Sequence, residues 1–334
     1  MKKIAFPIIV VLLVASIAAL VGYNSLVIQN RGQEVLSQQP TTETNEPTTN
    51  TTDPNAPVIY CIGDSLTMDT DVRSYASYLK DLTGLETVTI GGMEDTTMDM
   101  AIRTGAVPVY VDDITIPAER EAVEVTLYDE NHEELDVLHN EGSNFREVSI
   151  NNVSGILTYD STNEVHTFTR SQSGEEVNIT EPTQVMSEFP QFKENDIVVL
   201  FSGTYDPNVY MGIFDTINGQ YRILNAVGNE RYIVVSLTSR RTFNIVNDMN
   251  QVLEENFNEH YLDFRSYLME NGLTDAGIEA TEQDQADLSN RYIPSSLLQR
   301  DLVDGNEQFN ELLANQLLLK MQELGYIEAS TEGE

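Results

Sequence analysis

Residues Val58 to Thr67, with the sequence VIYCIGDSLT, decide the fold of this chain. The first four residues are β-branched, aromatic or small and apolar, which predicts a strand covered on both faces. Gly63 and Asp64 break this strand, and a helix-compatible sequence follows at Arg73 to Lys80. Because open α/β sheets carry their sites where strands end, Ser65 is the first candidate for a functional residue. A serine at such a turn caps a helix more often than it acts as a nucleophile, so other segments must decide its role.

Composition excludes several classes of partner. The chain has 334 residues, of which 40% are apolar, and this length is suited to about two domains. The 54 acidic residues outnumber 18 basic ones, and the net charge of −36 argues against nucleic acid as a partner. The same charge argues against electrostatic binding to an anionic membrane surface. A single cysteine, Cys61, excludes a disulfide within the chain.

The N-terminus predicts a membrane anchor. Two lysines follow Met1, and residues 4–23 then run without a charge, which is long enough to cross a bilayer. We therefore expect a short cytoplasmic start at residues 1–3, a transmembrane signal anchor at 4–23, and the bulk of the chain outside a cell membrane that it spans once. The alternative is a signal peptide that is cleaved, because small residues occur near the end of the apolar segment.

Residues 24–55 form a predicted tether. The part from Gln38 to Pro54 is rich in Thr, Pro and Glu and has no apolar residue, so it cannot drive hydrophobic collapse. We expect an extended, disordered segment between the anchor and the folded part. The residues at the other end of the chain, 329–334, are expected to be disordered as well.

The remaining chain contains two kinds of pattern. Residues 56–105 and 184–328 alternate apolar strands with helices, which predicts an α/β domain around a mostly parallel sheet. Its further strands are expected at Thr87–Ile90, Asp196–Phe201, Tyr232–Leu237 and Tyr261–Phe264, and its closing helix at Gln308–Leu324. Residues 106–183 consist of short runs that alternate apolar and polar residues between turn residues, which predicts a small all-β module inserted into that domain.

Four separated segments follow one pattern: Gly63–Thr67, Gly91–Thr97, Gly203–Asp206 and Asp301–Asn306. In this order they resemble the motif blocks of the SGNH/GDSL hydrolase superfamily, over most of residues 57–327. The resemblance implies a flavodoxin-like, three-layer α/β/α sandwich. The β-rich insert is similar to one that some Gram-positive bacterial and phage members carry between the second and third blocks. It therefore implies a protein of the bacterial cell envelope.

The resemblance also implies the roles of the catalytic residues. In the family, a serine attacks an ester carbonyl, a histidine three positions after an aspartate accepts the serine proton, and the aspartate orients that histidine. Here Ser65 and Asp301 are retained, but Asp304 stands at the histidine position. An unactivated hydroxyl is a poor nucleophile, so the missing base is a large loss.

The oxyanion positions are altered as well. The family stabilises the oxyanion with the serine backbone, a glycine of the second block and an asparagine of the third. The corresponding residues here are Ser65, Glu94 and Tyr205, although Gly91 and Gly92 leave the register of the second block open by two positions. A carboxylate at this place opposes the negative charge that develops in ester cleavage.

The histidines offer no replacement for the base. His132, His139 and His166 lie in the predicted insert, and His260 precedes the last predicted strand, about forty residues before Asp301. We interpret each of them as a surface residue rather than a displaced base.

These substitutions predict a protein that has lost the activity of the family. Loss of one oxyanion donor lowers rates on the order of 10²–10³-fold, and loss of the base on the order of 10⁶-fold. We therefore expect a catalytically degenerate SGNH-type protein that acts as an envelope binding or scaffold module. A cell-envelope glycan or a small acylated ligand is the expected partner. Asp64 and Asp206 are weaker candidates for binding residues.

Two alternatives stay open. In the first, Ser65 serves an active serine esterase or carbohydrate deacetylase with a rearranged site, in which Asp304 and Tyr205 form a different acid/base pair. In the second, Glu94, Asp301 and Asp304 converge on Ca²⁺ or Mg²⁺, since clustered carboxylates suit these ions. We expect no metal and no cofactor, and the sequence leaves the oligomeric state open.

Overall fold

A computed structural model describes residues 55–139, 145–187, 192–206, 213–240 and 243–328 of the chain. The predicted anchor at 4–23, nearly all of the predicted tether at 24–55 and the predicted tail at 329–334 lie outside these residues. Within the described ranges, no helix is long and apolar enough to cross a membrane.

The described residues contain strands and helices, with nine described strands in succession after the second helix. The strands are β1 (Val58–Gly63), β2 (Glu86–Gly91), β3 (Val109–Val111), β4 (Ile114–Ile116), β5 (Ala122–Val125), β6 (Phe145–Ile150), β7 (Val153–Asp160), β8 (Val165–Arg170), β9 (Val177–Ile179), β10 (Thr183–Ser187), β11 (Ile197–Phe201), β12 (Tyr232–Val235) and β13 (Tyr261–Leu262). The helices are α1 (Tyr75–Thr83), α2 (Thr97–Arg103), α3 (Ile213–Val227), α4 (Phe243–Phe257), α5 (Phe264–Tyr267), α6 (Leu273–Asp275), α7 (Glu282–Ser289) and α8 (Glu307–Glu323). A π-helical turn, Leu268–Gly272, joins α5 to α6.

Five strands form a parallel sheet in the order β13-β12-β11-β1-β2. Numbered along the chain, this order is 2-1-3-4-5, which is the flavodoxin-like order. Strands β1, β11 and β12 are almost entirely buried, as their continuous apolar sequences predict. The predicted α/β fold with a mostly parallel sheet is therefore confirmed.

Helices cover both faces of this sheet. On one face, Leu79 of α1 and Phe309 of α8 pack into a buried cluster with Ile59 of β1. On the other face, α2, α3 and α4 form a second buried cluster, to which Ile62 of β1 and Ile223 of α3 belong. Alternate residues of β1 enter the two clusters because successive side chains of a strand point to opposite faces. The result is three layers with the carboxyl ends of β1 and β11 side by side.

The β-rich insert lies between α2 and β11. Its main sheet has the order β3-β10-β6-β7-β8-β5, its paired strands are antiparallel, and β4 pairs with β9 in a separate two-stranded sheet. A third buried cluster, which includes Phe168, Leu157 and Val185, forms the core of the insert. The alternating sequence puts these apolar side chains on one face of the sheet.

Two segments differ from the expected boundaries. Strand β10 continues to Ser187, past the expected end of the insert at 183, because Val185 belongs to the core of the insert. Strand β13 ends at Leu262, earlier than expected, because Asp263 starts a helix there. Its side chain accepts a hydrogen bond from the backbone N–H of Ser266.

Candidate functional site around Ser65

Ser65 lies directly beyond the carboxyl end of β1. It begins a 3₁₀ turn, Ser65–Thr67, in which the Oδ1 atom of Asp64 accepts a hydrogen bond from the backbone N–H of Leu66 at 3.0 Å. Asp64 is completely buried. The structure therefore makes Asp64 the cap of the turn beneath Ser65, and its predicted role in binding stays a prediction.

Glycines allow the strand ends of the site to approach each other closely. A Cβ atom on Gly91 would lie 1.8 Å from the carbonyl oxygen of Gly63 on the neighbouring strand. Gly91 is thus required by strand packing.

Glu94, three residues later, has a left-handed backbone with φ of 57°, a conformation that favours glycine. Its carboxylate acts electrostatically on Asp304 and Tyr205, so the structure brings a negative charge to the second block of the site.

The hydroxyl group of Ser65 has two side-chain partners. It donates a hydrogen bond to Oδ1 of Asp304 at 2.9 Å, and its oxygen lies 3.1 Å from the phenolic oxygen of Tyr205. These partners are 239 and 140 residues away in the sequence. Ser65 itself is only 4% exposed. The fold therefore assembles a serine, a carboxylate and a phenol from three of the four motif blocks.

Asp301 supports this arrangement without reaching Ser65. Its Oδ1 atom accepts hydrogen bonds from the backbone N–H groups of Val303 at 3.0 Å and Asp304 at 3.1 Å. Asp301 is exposed to solvent. It therefore shapes the turn that presents Asp304, whereas the resemblance implies that it orients a histidine ring.

The electrostatics of the site disfavour additional negative charge. Burial, together with the charges of Asp301 and Glu94, raises the pKa of the Asp304 carboxyl to about 6. Burial raises the pKa of Asp64 to about 8, and the nearby Asp304 adds to the shift. Burial also raises the pKa of the Tyr205 phenol, which keeps its proton at neutral pH. A pocket with this many carboxylates stabilises an oxyanion poorly.

Solved structures similar to this one include proteins of the G-D-S-L lipolytic family. One assigned to that family, from Desulfitobacterium hafniense DCB-2, is 14% identical over 79% of this chain and 98% of its own, with a TM-score of 0.43. A member of the lipolytic G-D-S-L family from Veillonella parvula DSM 2008 is 13% identical over 79% and 97%, with a TM-score of 0.41. The psychrotrophic esterase EstA from Pseudoalteromonas sp. is 10% identical over 81% and 99%, with a TM-score of 0.39.

No protein-family model and no curated protein sequence matches this chain. Two of these structures carry the name of the G-D-S-L family. These values carry no argument about the chemistry of the site, which rests on the residues of this chain.

Asp206 of the third block connects two helices inside the fold, and its predicted role in binding stays a prediction. It is completely buried. Its Oδ1 atom accepts a hydrogen bond from the backbone N–H of Thr97 at 2.7 Å, and its Oδ2 atom accepts one from the hydroxyl group of Thr216. Asp206 thereby connects the amino end of α2 to α3 behind the site.

We expect the substitution Asp206→Ala to lower the free energy of unfolding by about 3 kcal/mol, because it leaves two buried donors without an acceptor. Asp206→Asn is the matched control. It keeps one acceptor oxygen and should cost about 1 kcal/mol. Urea denaturation at pH 7 measures both values. Equal stability of the alanine variant and the wild type would contradict this structural role of Asp206.

His166 corrects the prediction that the four histidines lie at the surface. Its side chain is buried, because the ring packs 5.0 Å from the Tyr159 ring and Nε2 lies 3.3 Å from the carbonyl oxygen of Leu138. Burial, followed by the neighbouring His139, lowers the pKa of His166. This histidine belongs to the core edge of the insert.

The other histidines lie away from the Ser65 hydroxyl group. His132 is exposed and stacks on Tyr128 in the insert, and His139 is exposed as well. His260 approaches the carbonyl oxygen of Tyr232, at the amino end of β12 and thus at the edge of the sheet opposite to Ser65. Since Ser65 has a carboxylate and a phenol as its hydrogen-bond partners, no described histidine acts as its base.

The carboxylates of the site do not form a metal centre. In the described part of the chain, no group of three or more His, Cys, Asp or Glu side chains is arranged to hold a metal ion. Glu94, Asp301 and Asp304 therefore give no support to the alternative of a Ca²⁺ or Mg²⁺ site.

A cleft of about 590 Å³ opens beside the site, and sequence reasoning missed most of its walls. Tyr205 and Glu94 line it on the side of Ser65. Helix α3 contributes Asp215, Asn218 and Arg222, whose spacing of three and four residues puts them on one helix face. That spacing is a signal that the sequence contains. The remaining walls come from the start of α2, with Met98 and Asp99, and from the loop at 136–139 of the insert.

Proposed function

We propose that this chain is a catalytically degenerate protein of SGNH/GDSL type that binds a ligand at the Ser65 site. One observation carries the proposal: the Ser65 hydroxyl donates its hydrogen bond to the carboxylate of Asp304, at 2.9 Å, where the resemblance implies an imidazole. A carboxylate whose pKa is about 6 is ionised at neutral pH and is a weaker base than the alkoxide that it would have to generate.

The oxyanion positions support the same proposal. The second block brings Glu94 to the site, and its charge lies close enough to act on Asp304. The third block brings the Tyr205 phenol, which is held against the Ser65 oxygen at 3.1 Å. The carboxylates of Glu94 and Asp304 would repel the negative charge that develops on a substrate carbonyl. This repulsion raises the barrier of ester cleavage.

A second candidate function is an active serine esterase or carbohydrate deacetylase with a rearranged site. The pKa of Asp304, raised to about 6, favours it, because a general base works best when its pKa is close to the working pH. In this case Asp304 would accept the Ser65 proton and Tyr205 would donate to the oxyanion.

A covalent serine probe distinguishes the two candidates. We expect a fluorophosphonate to leave Ser65 unlabelled in the wild-type chain, because the hydroxyl has no imidazole to activate it. Intact-mass measurement after incubation with the probe gives the result. Ser65→Ala is the control for labelling at other hydroxyl groups. Stoichiometric labelling that disappears in Ser65→Ala would favour the esterase.

We further propose that the ligand is a cell-envelope glycan or a small acylated compound, met outside the membrane. The charge-free segment at 4–23 and the basic start support an anchor, and the sequence at 24–55 supports a tether. The cleft beside Tyr205 is within the size range of ligand pockets. The intact mass of the mature protein distinguishes an anchor from a cleaved signal peptide.

A further inference from the structure

Two cavities of this chain share one wall. The cleft beside Tyr205 has a volume of about 590 Å³, and a second cavity of about 970 Å³ lies on the insert. Asp136 and His139 line both. These two residues place the cavities side by side, and we refer to both cavities together as the trough. It runs from Tyr205, the hydrogen-bond partner of Ser65, past the loop at 136–139 onto the insert.

The shared wall is held from both sides. The backbone N–H of Leu138 donates a hydrogen bond to Oδ1 of Asp99 on α2 at 2.7 Å, and its carbonyl oxygen lies 3.3 Å from Nε2 of His166 on β8. Leu138 is only 3% exposed and has a left-handed backbone with φ of 57°. A buried leucine adopts this conformation only where its surroundings impose it. The loop at 136–139 is thus a rigid wall between the two cavities.

The loop at 136–139 presents the ring of His139 to the trough. The exposed ring of His139 stacks on Tyr159 at 4.6 Å, and Tyr159 in turn packs against the buried His166. Each of the three rings lines the second cavity. Flat rings of this kind suit the apolar face of a sugar ring, and their rigidity lowers the entropic cost of binding.

The charge of the trough limits the class of ligand. Among the described residues, nine carboxylate side chains line the two cavities, together with one arginine, Arg222. Carboxylates accept hydrogen bonds from hydroxyl and amino groups, and they repel a polyanion. The lining therefore favours a ligand that is rich in hydroxyl or amino groups and has no acid groups.

We propose that the trough binds a linear polysaccharide of neutral or amine-bearing sugars, with one unit beside Ser65 and further units on the insert. This inference rests on the proposed binding function and names the ligand class of that site. It also gives the insert a role. The cleft beside Tyr205 holds one sugar unit, and the part of the trough on the insert, beyond the loop at 136–139, holds further units.

Binding of glucosamine oligomers to the full chain in detergent micelles tests the inference. We expect the hexamer to bind at least about tenfold more tightly than the dimer, because additional units reach the insert. His139→Ala and Tyr159→Ala should bring the hexamer down to the affinity of the dimer. Met186→Ala, an exposed residue of the insert outside the trough, should leave the affinity unchanged. Hexagalacturonate, an acidic oligomer, should not compete.

The outcomes separate this inference from the proposed function. Three results would overturn the proposal that the trough binds a polysaccharide: equal affinities for dimer and hexamer, no binding of either, or equal binding of the acidic oligomer. Hydrolysis of acetylated oligomers that depends on Ser65 would contradict the proposed loss of catalysis, but it would be compatible with polysaccharide binding in the trough. Circular dichroism of each variant shows whether the fold is retained. An unchanged dimer affinity of Tyr159→Ala, whose ring lines only the second cavity, provides a second control.

Discussion

The triple substitution Glu94→Gly, Tyr205→Asn and Asp304→His is expected to create Ser65-dependent hydrolysis of p-nitrophenyl acetate, at least about 100-fold above the wild-type rate. It removes a carboxylate from the site, introduces an amide donor and supplies an imidazole at the position from which Asp304 now contacts Ser65 at 2.9 Å. Each change restores a function that ester cleavage requires: fixed donors for the oxyanion and a base for the nucleophile.

The control for this gain is the quadruple variant that also carries Ser65→Ala. It should return to the wild-type rate, since the new activity passes through the serine hydroxyl. Single reversions should gain less than the triple variant, because base and donors act as a unit. A folded triple variant without activity would mean that the remaining scaffold, and not these three residues, prevents catalysis.

The stability of the chain is expected to fall as pH rises, with Asp64 as a main cause. The pKa of this buried carboxyl is about 8 in the folded chain, and an aspartate in an unfolded chain has a pKa of about 3.9. Between these values the folded chain binds one proton more than the unfolded chain. The contribution of Asp64 to stability is therefore fully present below about pH 4 and falls by about 1.4 kcal/mol per pH unit until it levels off near pH 8.

Asp64→Asn should remove this dependence. The amide keeps an oxygen for the N–H of Leu66 and has no charge to bury. Relative to wild type, we expect the variant to gain about 2 to 3 kcal/mol in unfolding free energy between pH 5 and pH 7. Asp95 and Asp304, whose pKa values burial raises to about 6, contribute the same trend to both proteins and cancel in the difference. Parallel stability curves for the two proteins would contradict the assignment.

The strands, turns and domain boundaries that depend on local sequence could be predicted. The apolar run at Val58 ends where the strand ends, and the break at Gly63 and Asp64 places Ser65 at the sheet edge. Periodicity also separates the insert from the α/β domain. The resemblance of the motif order implies that Asp304 and Tyr205 lie near Ser65. For Tyr205 the sequence also contains a physical reason, because its block follows β11, whose carboxyl end lies beside that of β1.

Features that depend on distant contacts could not be predicted. The raised pKa of Asp304 results from burial and from Asp301 and Glu94, and the sequence contains no measure of burial. The burial of His166 depends on pairing between β7 and β8 and on Leu138 above it. The trough requires the loop at 136–139 to reach α2, where Leu138 bonds to Asp99 and packs in one buried cluster with Ile102.

Whether the Ser65 site is catalytically degenerate is tested most directly by comparing the initial rates of p-nitrophenyl acetate hydrolysis by the wild-type chain and by Ser65→Ala. Both proteins are measured at equal concentration and at pH 6, 7 and 8. The range covers the pKa of about 6 for Asp304, so it includes conditions in which that carboxylate would serve as a base. We predict the same rate for both proteins at each pH, at the level of the uncatalysed background. Turnover by the wild type that Ser65→Ala abolishes would contradict a catalytically degenerate site.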